Sequence, residues 1–508
     1  MSPRPRAGRS TAQLLADFGH PLPSRAPQAA AQREPRLFRP ASRRGPAKRG
    51  HGWVAASAPA SVWRMTSDQA PVLWPFITGP GLPPTGALIG VDQLRGGCFY
   101  ADPGGWVLDD SIGVANPNVF VFGKPGRGKS ATIKAFALGL MPYGYKVLIA
   151  GDPKDEYEPL CRALGVEPIA IGHGLAARIN PLAFGPLGTG WDGLAAAEAR
   201  RRVAIVFARW LTLVRGLVGS QRIGEARVPF GPVEEVAGKT ALAHLTGHSQ
   251  GNTTLVETTI PKLWRMLDEP TDELVGECRY ATTRQFLDET RLLRDALGQL
   301  VSGALAGLFD GPTTIDIDWT APIQSLSLSR LEALGDEAVG IALTCLNSWS
   351  RGMRELAAPG DLRIVVRDES WKQLRLGPEA VKSFDADLRL SRRDGDVQVA
   401  VAHKPSDLLT AGDAGSQAVA IAKDLLHLAD THILHGQDPA VADDLHRLLG
   451  LSSIEQDLVT TWAMQGRGRA LWCVGDQRYK VLTILHPAER ALFDTDAAVR
   501  GEQTRGVP

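Results

Sequence analysis

Short, unbroken apolar runs recur along the chain and take turns with longer stretches of helical spacing. Val119–Phe122, Lys146–Ala150, Pro168–Ile171, Ile323–Leu328, Arg363–Val366, Val397–Ala402, Thr431–Leu434, Ala470–Val474 and Tyr479–Thr483 are short and nearly continuous in apolar character, which predicts buried strands. Ala131–Leu140, Leu160–Leu164 and Glu337–Trp349 predict helices between them. This beat of strand and helix predicts an α/β core with a mostly parallel sheet. Cys98–Tyr100 and Trp106–Leu108 predict paired short strands ahead of it.

The beat stops between about residues 190 and 312. Leu194–Leu217, Leu255–Leu267 and Thr283–Leu305 have helical periodicity there and predict a helical insertion. The expected organisation is therefore a lead-in region (56–115), a core in two pieces (116–190 and 313–497), an insertion between them (191–312) and a C-terminal tail (498–508). No internal repeat is visible.

A chain of 508 residues exceeds one average domain and can bury a sizeable core. Its net charge of +1 hides an asymmetry. The first 55 residues carry Arg4, Arg6, Arg9, Arg25, Arg33, Arg36, Arg39, Arg43, Arg44, Lys48 and Arg49 against Asp17 and Glu34, in a background of Pro, Ala and Ser. Such a segment cannot bury enough apolar surface to fold alone, so a disordered basic tail is expected. It is either a solvated tail or an arm that touches nucleic acid or anionic lipid. It lacks the apolar region of a signal peptide. The most apolar string, Ala338–Leu346, is too short for a membrane span and reads as a buried helix. Cys98, Cys161, Cys278, Cys345 and Cys473 are odd in number, scattered and without metal spacing, which suits a reducing cytosol.

Gly123-Lys124-Pro125-Gly126-Arg127-Gly128-Lys129-Ser130 is a G-x-x-x-x-G-K-S phosphate loop with an expected strand before it and an expected helix, opening at Ala131, after it. The glycines let backbone N–H groups turn toward phosphate oxygens. Lys129 is placed to reach the β- and γ-phosphates of ATP, and Ser130 to hold Mg²⁺. Arg363–Val366 leads to Asp368 and Glu369, paired acids at a strand end. This predicts Asp368 on Mg²⁺ and Glu369 orienting the attacking water. A rival pair is Asp152 with Glu156. Arg367 is odd on an apolar strand. Gly466-Arg467-Gly468-Arg469 offers Arg467 and Arg469 as arginine fingers for a neighbour's γ-phosphate, or as a surface turn. His403 closes a strand where a polar group can sense the γ-phosphate, or simply satisfies a local hydrogen bond.

Asn116-Pro117-Asn118, the loop Gly123–Ser130 and Asp152-Pro153-Lys154-Asp155-Glu156-Tyr157, in this order, resemble the conjugative type IV secretion ATPases, the TraC-like members of the HerA–FtsK superfamily. Asp368-Glu369-Ser370-Trp371 resembles their acidic strand motif, Gly466–Leu471 their arginine turn and Glu489–Asp496 their closing segment. The resemblance runs from about residue 60 to 497. It implies a RecA-like phosphate-loop NTPase core and an ATPase that assembles as a homo-oligomeric, often hexameric, ring. The expected position is cytoplasmic and peripheral, at the inner face of the cell membrane, on membrane-embedded secretion-channel components. DNA is a further expected partner, through the basic tail or the ring pore. Two features depart from the family: little precedes the core where the family has a large N-terminal docking domain, and His403 stands where the superfamily usually has Gln. Competing readings are a DNA-pumping translocase or coupling protein, and a non-catalytic nucleotide-binding scaffold. The intact Lys129, Ser130, Asp368 and Glu369 argue against the scaffold.

Overall fold

The computed structural model describes residues 81–494, except 171, 173–174, 176, 224–225, 250, 304, 316–317, 319, 333, 359, 371–373, 375–377 and 409–423. The basic tail, the first part of the lead-in region, the C-terminal tail, Trp371 and the last two residues of the closing motif lie outside the described residues.

Strands β1 (Ala87–Asp92) and β2 (Cys98–Ala101) pair antiparallel. A strand was expected at Trp106–Leu108, but Pro103–Trp106 forms one helical turn instead. Asp102 Oδ1 accepts from Gly105 N at 3.0 Å, and Pro103 sets the first φ. This N-terminal cap outweighs the β preference of the residues that follow. Strand β3 (Val119–Phe122) runs into the glycine loop, and helix α1 (Lys129–Leu140) leaves it. Strand β4 (Tyr145–Asp152), helix α2 (Glu158–Ala163) and the short β5 (Ile169–Ala170) follow.

Next come α3 (Ala196–Gly219), the small hairpin of β6 (Arg222–Ile223) and β7 (Ala226–Arg227), α4 (Pro232–Thr246), α5 (Ile260–Asp268), α6 (Asp272–Glu277), α7 (Thr283–Glu289) and α8 (Arg291–Ser302). Two expectations shorten here. The helix expected from Leu255 starts at Ile260, because Thr259 is extended and Pro261 sits in the first turn. The helix expected over Thr283–Leu305 is broken at Thr290, whose hydroxyl donates back to Phe286 O at 2.7 Å.

The sheet resumes with β8 (Ile323–Ser327), α9 (Asp336–Glu355), β9 (Leu362–Arg367), α10 (Pro378–Asp394), β10 (Asp396–Ala402), β11 (Thr431–His435), α11 (Pro439–Leu449), β12 (Arg469–Val474), β13 (Gln477–Thr483) and α12 (Pro487–Phe493). Among the described residues the main sheet has eleven strands in the order β2-β1-β13-β12-β11-β3-β10-β9-β4-β8-β5. It is parallel from β11 through β5 and antiparallel from β12 to β2. The mostly parallel α/β sheet expected from the sequence is therefore present, with an antiparallel extension to which β1 and β2 belong.

Each apolar strand splits its residues between two faces. Val119 and Val121 of β3 pack with Ile133 and Phe136 of α1, whereas Phe120 and Phe122 pack with Phe384 and Leu388 of α10. The same period explains Arg367. It shares a face with Val365 and points toward α10, where Asp387 Oδ2 meets its guanidinium at 2.7 Å. Arg354 (2.9 Å) and Arg351 (3.3 Å) complete the charge cluster around Asp387. Three arginines outweigh burial and hold the Asp387 carboxyl below its usual range, so the buried charge is paired.

Candidate active site

The strand order sets up the site. β3, β10, β9 and β4 are consecutive and parallel, so their carboxyl ends open side by side into one crevice. The glycine loop lies at the end of β3. Gly128, in the left-handed region at φ +98°, starts α1, and Gly126 sits at φ +73°. A Cβ on Gly128 would come within 2.7 Å of Gly468 N. The loop is tied down on both sides: Gly123 N donates to His403 O (3.3 Å), Lys124 N to Gly436 O (3.0 Å) and Gly468 N to Arg127 O (3.0 Å).

A file of side chains crosses the crevice in strand order. Lys129 Nζ donates to Gly123 O at 2.6 Å and lies 3.3 Å from His403 Nδ1. An ammonium has only donors, so Nδ1 is the acceptor and the imidazole proton sits on Nε2. That nitrogen lies 3.3 Å from Glu369 Oε1, which also accepts from Lys154 Nζ at 2.9 Å. Loop, β10, β9 and β4 thus contribute Lys129, His403, Glu369 and Lys154 in turn. Gln437 Nε2 donates to His403 O at 2.6 Å and fixes the strand end that carries the imidazole.

Electrostatics follow from burial and crowding. Burial pushes Lys129 below the usual lysine range, although Asp368 and Glu369 pull it back up. Burial, followed by the charges of Glu156 and Glu369, pushes Asp368 up to about 6. Burial pushes Asp152 up to about 7, against two backbone donations from Tyr157 N (2.7 Å) and Glu156 N (2.9 Å). Those donations show what Asp152 does: it caps the turn that follows β4. Glu369 has a positive φ of +49°, and Asp368 Oδ1 accepts from the Glu369 amide at 2.9 Å. The turn at the end of β9 thus holds the two acids in different directions.

Lys129, Lys154, Asp368, Glu369 and His403 line a pocket of about 550 Å³ together with Pro125, Gly126, Gly128, Ser130, Ala131, Glu156 and Arg467. The sequence-derived candidates do not all share one role. Lys129, Ser130, Ala131, Asp368, Glu369 and His403 meet there. Arg127 instead donates to Met464 O at 2.8 Å, bracing the loop, and Lys124 pairs with Asp438 at 2.6 Å. Arg467 lines the pocket of its own chain. Arg469 lies over Trp462 (5.6 Å to the ring centroid) and donates to Trp462 O and Gln465 Oε1. Lys154 is a site residue that sequence reasoning missed, as are Thr483, Arg490 and Asp494, which line the same pocket. Lys154 lies within the Asp152–Tyr157 motif, but its place beside Glu369 depends on β4 lying next to β9.

No protein-family model and no curated protein matches the sequence. Among solved structures, VirB4 of Thermoanaerobacter pseudethanolicus is similar, with a TM-score of 0.58, 20% identity, and coverage of 80% of this chain and 99% of that one. This chain has the VirB4 fold. The likeness agrees, at the level of the fold, with the resemblance carried by the sequence motifs. The plasmid coupling protein TrwB, in complex with the non-hydrolysable GTP analogue GDPNP, aligns at a TM-score of 0.48 and 16% identity over 73% of this chain and 86% of that one.

Proposed function

We propose that this chain is a Mg²⁺-dependent ATPase that drives a conjugation or type IV secretion machine. The observation that carries the reading is the single pocket in which the phosphate loop faces Asp368, Glu369 and His403 from neighbouring strand ends. The secretion setting is supported by the motif order and by the fold shared with VirB4.

The wall of the pocket fits a divalent cation. Glu156, Asp368 and Glu369 line it, with Asp152 buried behind them, and Glu156 Oε2 is buried with no hydrogen-bond partner among the described residues. Hard oxygen donors with excess negative charge are what Mg²⁺ requires, and Ser130 and Asp368 would hold it. When bound, Mg²⁺ neutralises charge on the transferring phosphoryl group.

The chain's own groups do the rest. Loop amides and Lys129 cradle the phosphates, and Arg467 reaches them from the turn before β12. Glu369 accepts the proton of the attacking water. His403 links the Glu369 carboxylate to the Lys129 ammonium that touches the γ-phosphate. No helix among the described residues is long and apolar enough to cross a membrane. By its resemblance to the secretion ATPases, the reading makes the protein a homo-oligomeric ring, hexameric in keeping with that family, docked peripherally on channel components at the cytoplasmic face of the membrane.

The test is ATP turnover of the full chain with Mg²⁺, with and without single-stranded DNA, beside a mass measurement of the oligomer. Turnover by a ring, indifferent to DNA, is expected. Absence of turnover by an assembled, folded oligomer refutes the ATPase reading. Strong stimulation by DNA moves the assignment to a DNA-pumping translocase.

A further inference from the structure

The Lys154–Glu369 pair joins an anchored partner to a movable one. The Glu369 side chain is 8% exposed, and its backbone is fixed in a left-handed turn. The Lys154 side chain is 57% exposed and stands on the turn after β4, on the pocket wall. The lysine can swing on its four-carbon stem, whereas the glutamate cannot. The Lys154 ammonium donates to Glu369 Oε1 at 2.9 Å and so occupies an acceptor position that a water would otherwise use. In the arrangement observed, the group expected to activate water is held in an ion pair.

A γ-phosphate would change that balance. It adds negative charge to the same pocket, whose wall includes the exposed side chain of Lys154. From this geometry we infer that Lys154 senses the γ-phosphate. It clamps Glu369 when no γ-phosphate is present, and it passes to the phosphate oxygens when a nucleoside triphosphate binds. Glu369 then keeps its contact with His403, and the Oε1 position that the ammonium held opens to water. Water oxygen bonds to the γ-phosphorus as the bond to the bridging ADP oxygen breaks. The electron pair of that bond stays on ADP, and the water proton goes to Glu369. ADP offers no γ-phosphate, so Lys154 returns to Glu369 and the site falls idle until exchange. The inference rests on the ATPase reading above and adds to it a positioning residue that separates ATP from ADP.

The experiment measures affinity of the full chain, with Mg²⁺, for fluorescent ATPγS and ADP. The variants are Lys154→Met, Lys154→Arg, Glu369→Gln and the double Lys154→Met, Glu369→Gln. Loss of one charge-assisted contact predicts that Lys154→Met weakens ATPγS about tenfold while ADP stays within about twofold. Lys154→Arg should restore most of the preference. Glu369→Gln releases the lysine and should tighten ATPγS, and this tightening should vanish in the double variant. Equal weakening of both nucleotides by Lys154→Met, or equal tightening in the double variant, overturns the inference. Wild-type protein that binds neither nucleotide overturns the ATPase reading instead. Lys154 is exposed, so its replacement disturbs no core contact, and a matching thermal melt verifies that each variant is folded.

Discussion

Lys129 and Glu369 share one imidazole: His403 accepts from the lysine through Nδ1 and faces the carboxylate through Nε2, at 3.3 Å on each side. The ring does this as a neutral group with one acceptor and one donor. A glutamine amide offers the same pair, an oxygen that accepts and a nitrogen that donates. This gives a physical reason for the interchange of His and Gln at this position. His403→Gln is expected to keep turnover within about threefold of wild type, whereas His403→Ala is expected to lower kcat about a hundredfold. Steady-state kinetics on both variants check it. Equal loss in both would show that the site needs an imidazole specifically.

Lys129→Ala should abolish hydrolysis and weaken nucleotide binding. The ammonium is buried, donates to Gly123 O and lines the pocket. Removing one preorganised charge donor costs about 10²–10³ in rate. A purified variant with near-normal turnover would refute the assignment of the loop.

Glu369→Gln should leave ATP bound and uncleaved. The amide preserves shape, and Asp368 still accepts from the backbone amide of residue 369. The loss in kcat is expected to be about 10²–10⁴. Filter-binding of ATP beside a phosphate-release assay separates binding from cleavage. If Glu156→Gln gave the same trapped state while Glu369→Gln turned over normally, the acid pair would have to be reassigned.

Much of the phosphate-binding half of this site is legible in local sequence, because a strand, a glycine loop and a helix start are contiguous. Asp368 and Glu369 are legible for a similar reason, since they end an apolar run. Lys154 was not, because its meaning comes from strand order: β4 borders β9 only once the sheet is assembled. Arg367 read as an anomaly until Asp387, twenty residues on and across the sheet face, supplied its partner. The helices α4, α10 and α11 were missed as well. α10 carries Asp385, Asp387, Arg389, Arg392 and Arg393, charges that obscure the apolar stripe of Val381, Phe384 and Leu388. The helical turn at Pro103 was misread because three apolar residues outweighed an Asp-Pro cap.

The acids at and behind the pocket predict a pH signature. Carboxylates in an unfolded chain titrate near 3.9, whereas Asp368 is pushed up to about 6 and Asp152 to about 7. Between those limits these two groups bind more protons in the folded state, so the stability they contribute to the metal-free protein is lost as pH rises from about 4 to about 7. Buried His432 and His435, lowered to about 4 and about 3, act in the opposite direction, so the acids are read from the difference between wild type and variant. A rise of Asp368 from 3.8 to about 6 corresponds to at most about 3 kcal/mol of this loss. Asp368→Asn should therefore raise the metal-free melting temperature at pH 8 by a few degrees and flatten its pH dependence. The same change should remove the stabilisation that added Mg²⁺ gives wild type, since the cation loses its ligand. Differential scanning calorimetry at pH 5.5 and pH 8, with and without Mg²⁺, reads all three effects. A metal-free melting temperature with the same pH dependence in Asp368→Asn as in wild type would contradict the arrangement.

Arg467 and Arg469 should behave differently from one another. Arg467 lines the pocket of its own chain, next to the loop that Gly468 braces through Arg127 O. Arg469 is engaged by Trp462 and Gln465. A guanidinium that meets the γ-phosphate is worth about 10³ or more in rate. Arg467→Ala is expected to lose activity on that scale, whereas Arg469→Ala should act mainly by loosening the turn, lowering the melting temperature more than kcat. Mixing inactive Lys129→Ala with inactive Arg467→Ala discriminates action within a chain from action across a subunit boundary. If Arg467 serves its own pocket, every Lys129→Ala subunit lacks its lysine and every Arg467→Ala subunit lacks its arginine, so mixed rings stay inactive. Recovery of hydrolysis in rings shown to exchange subunits would instead place Arg467 on the neighbour's nucleotide.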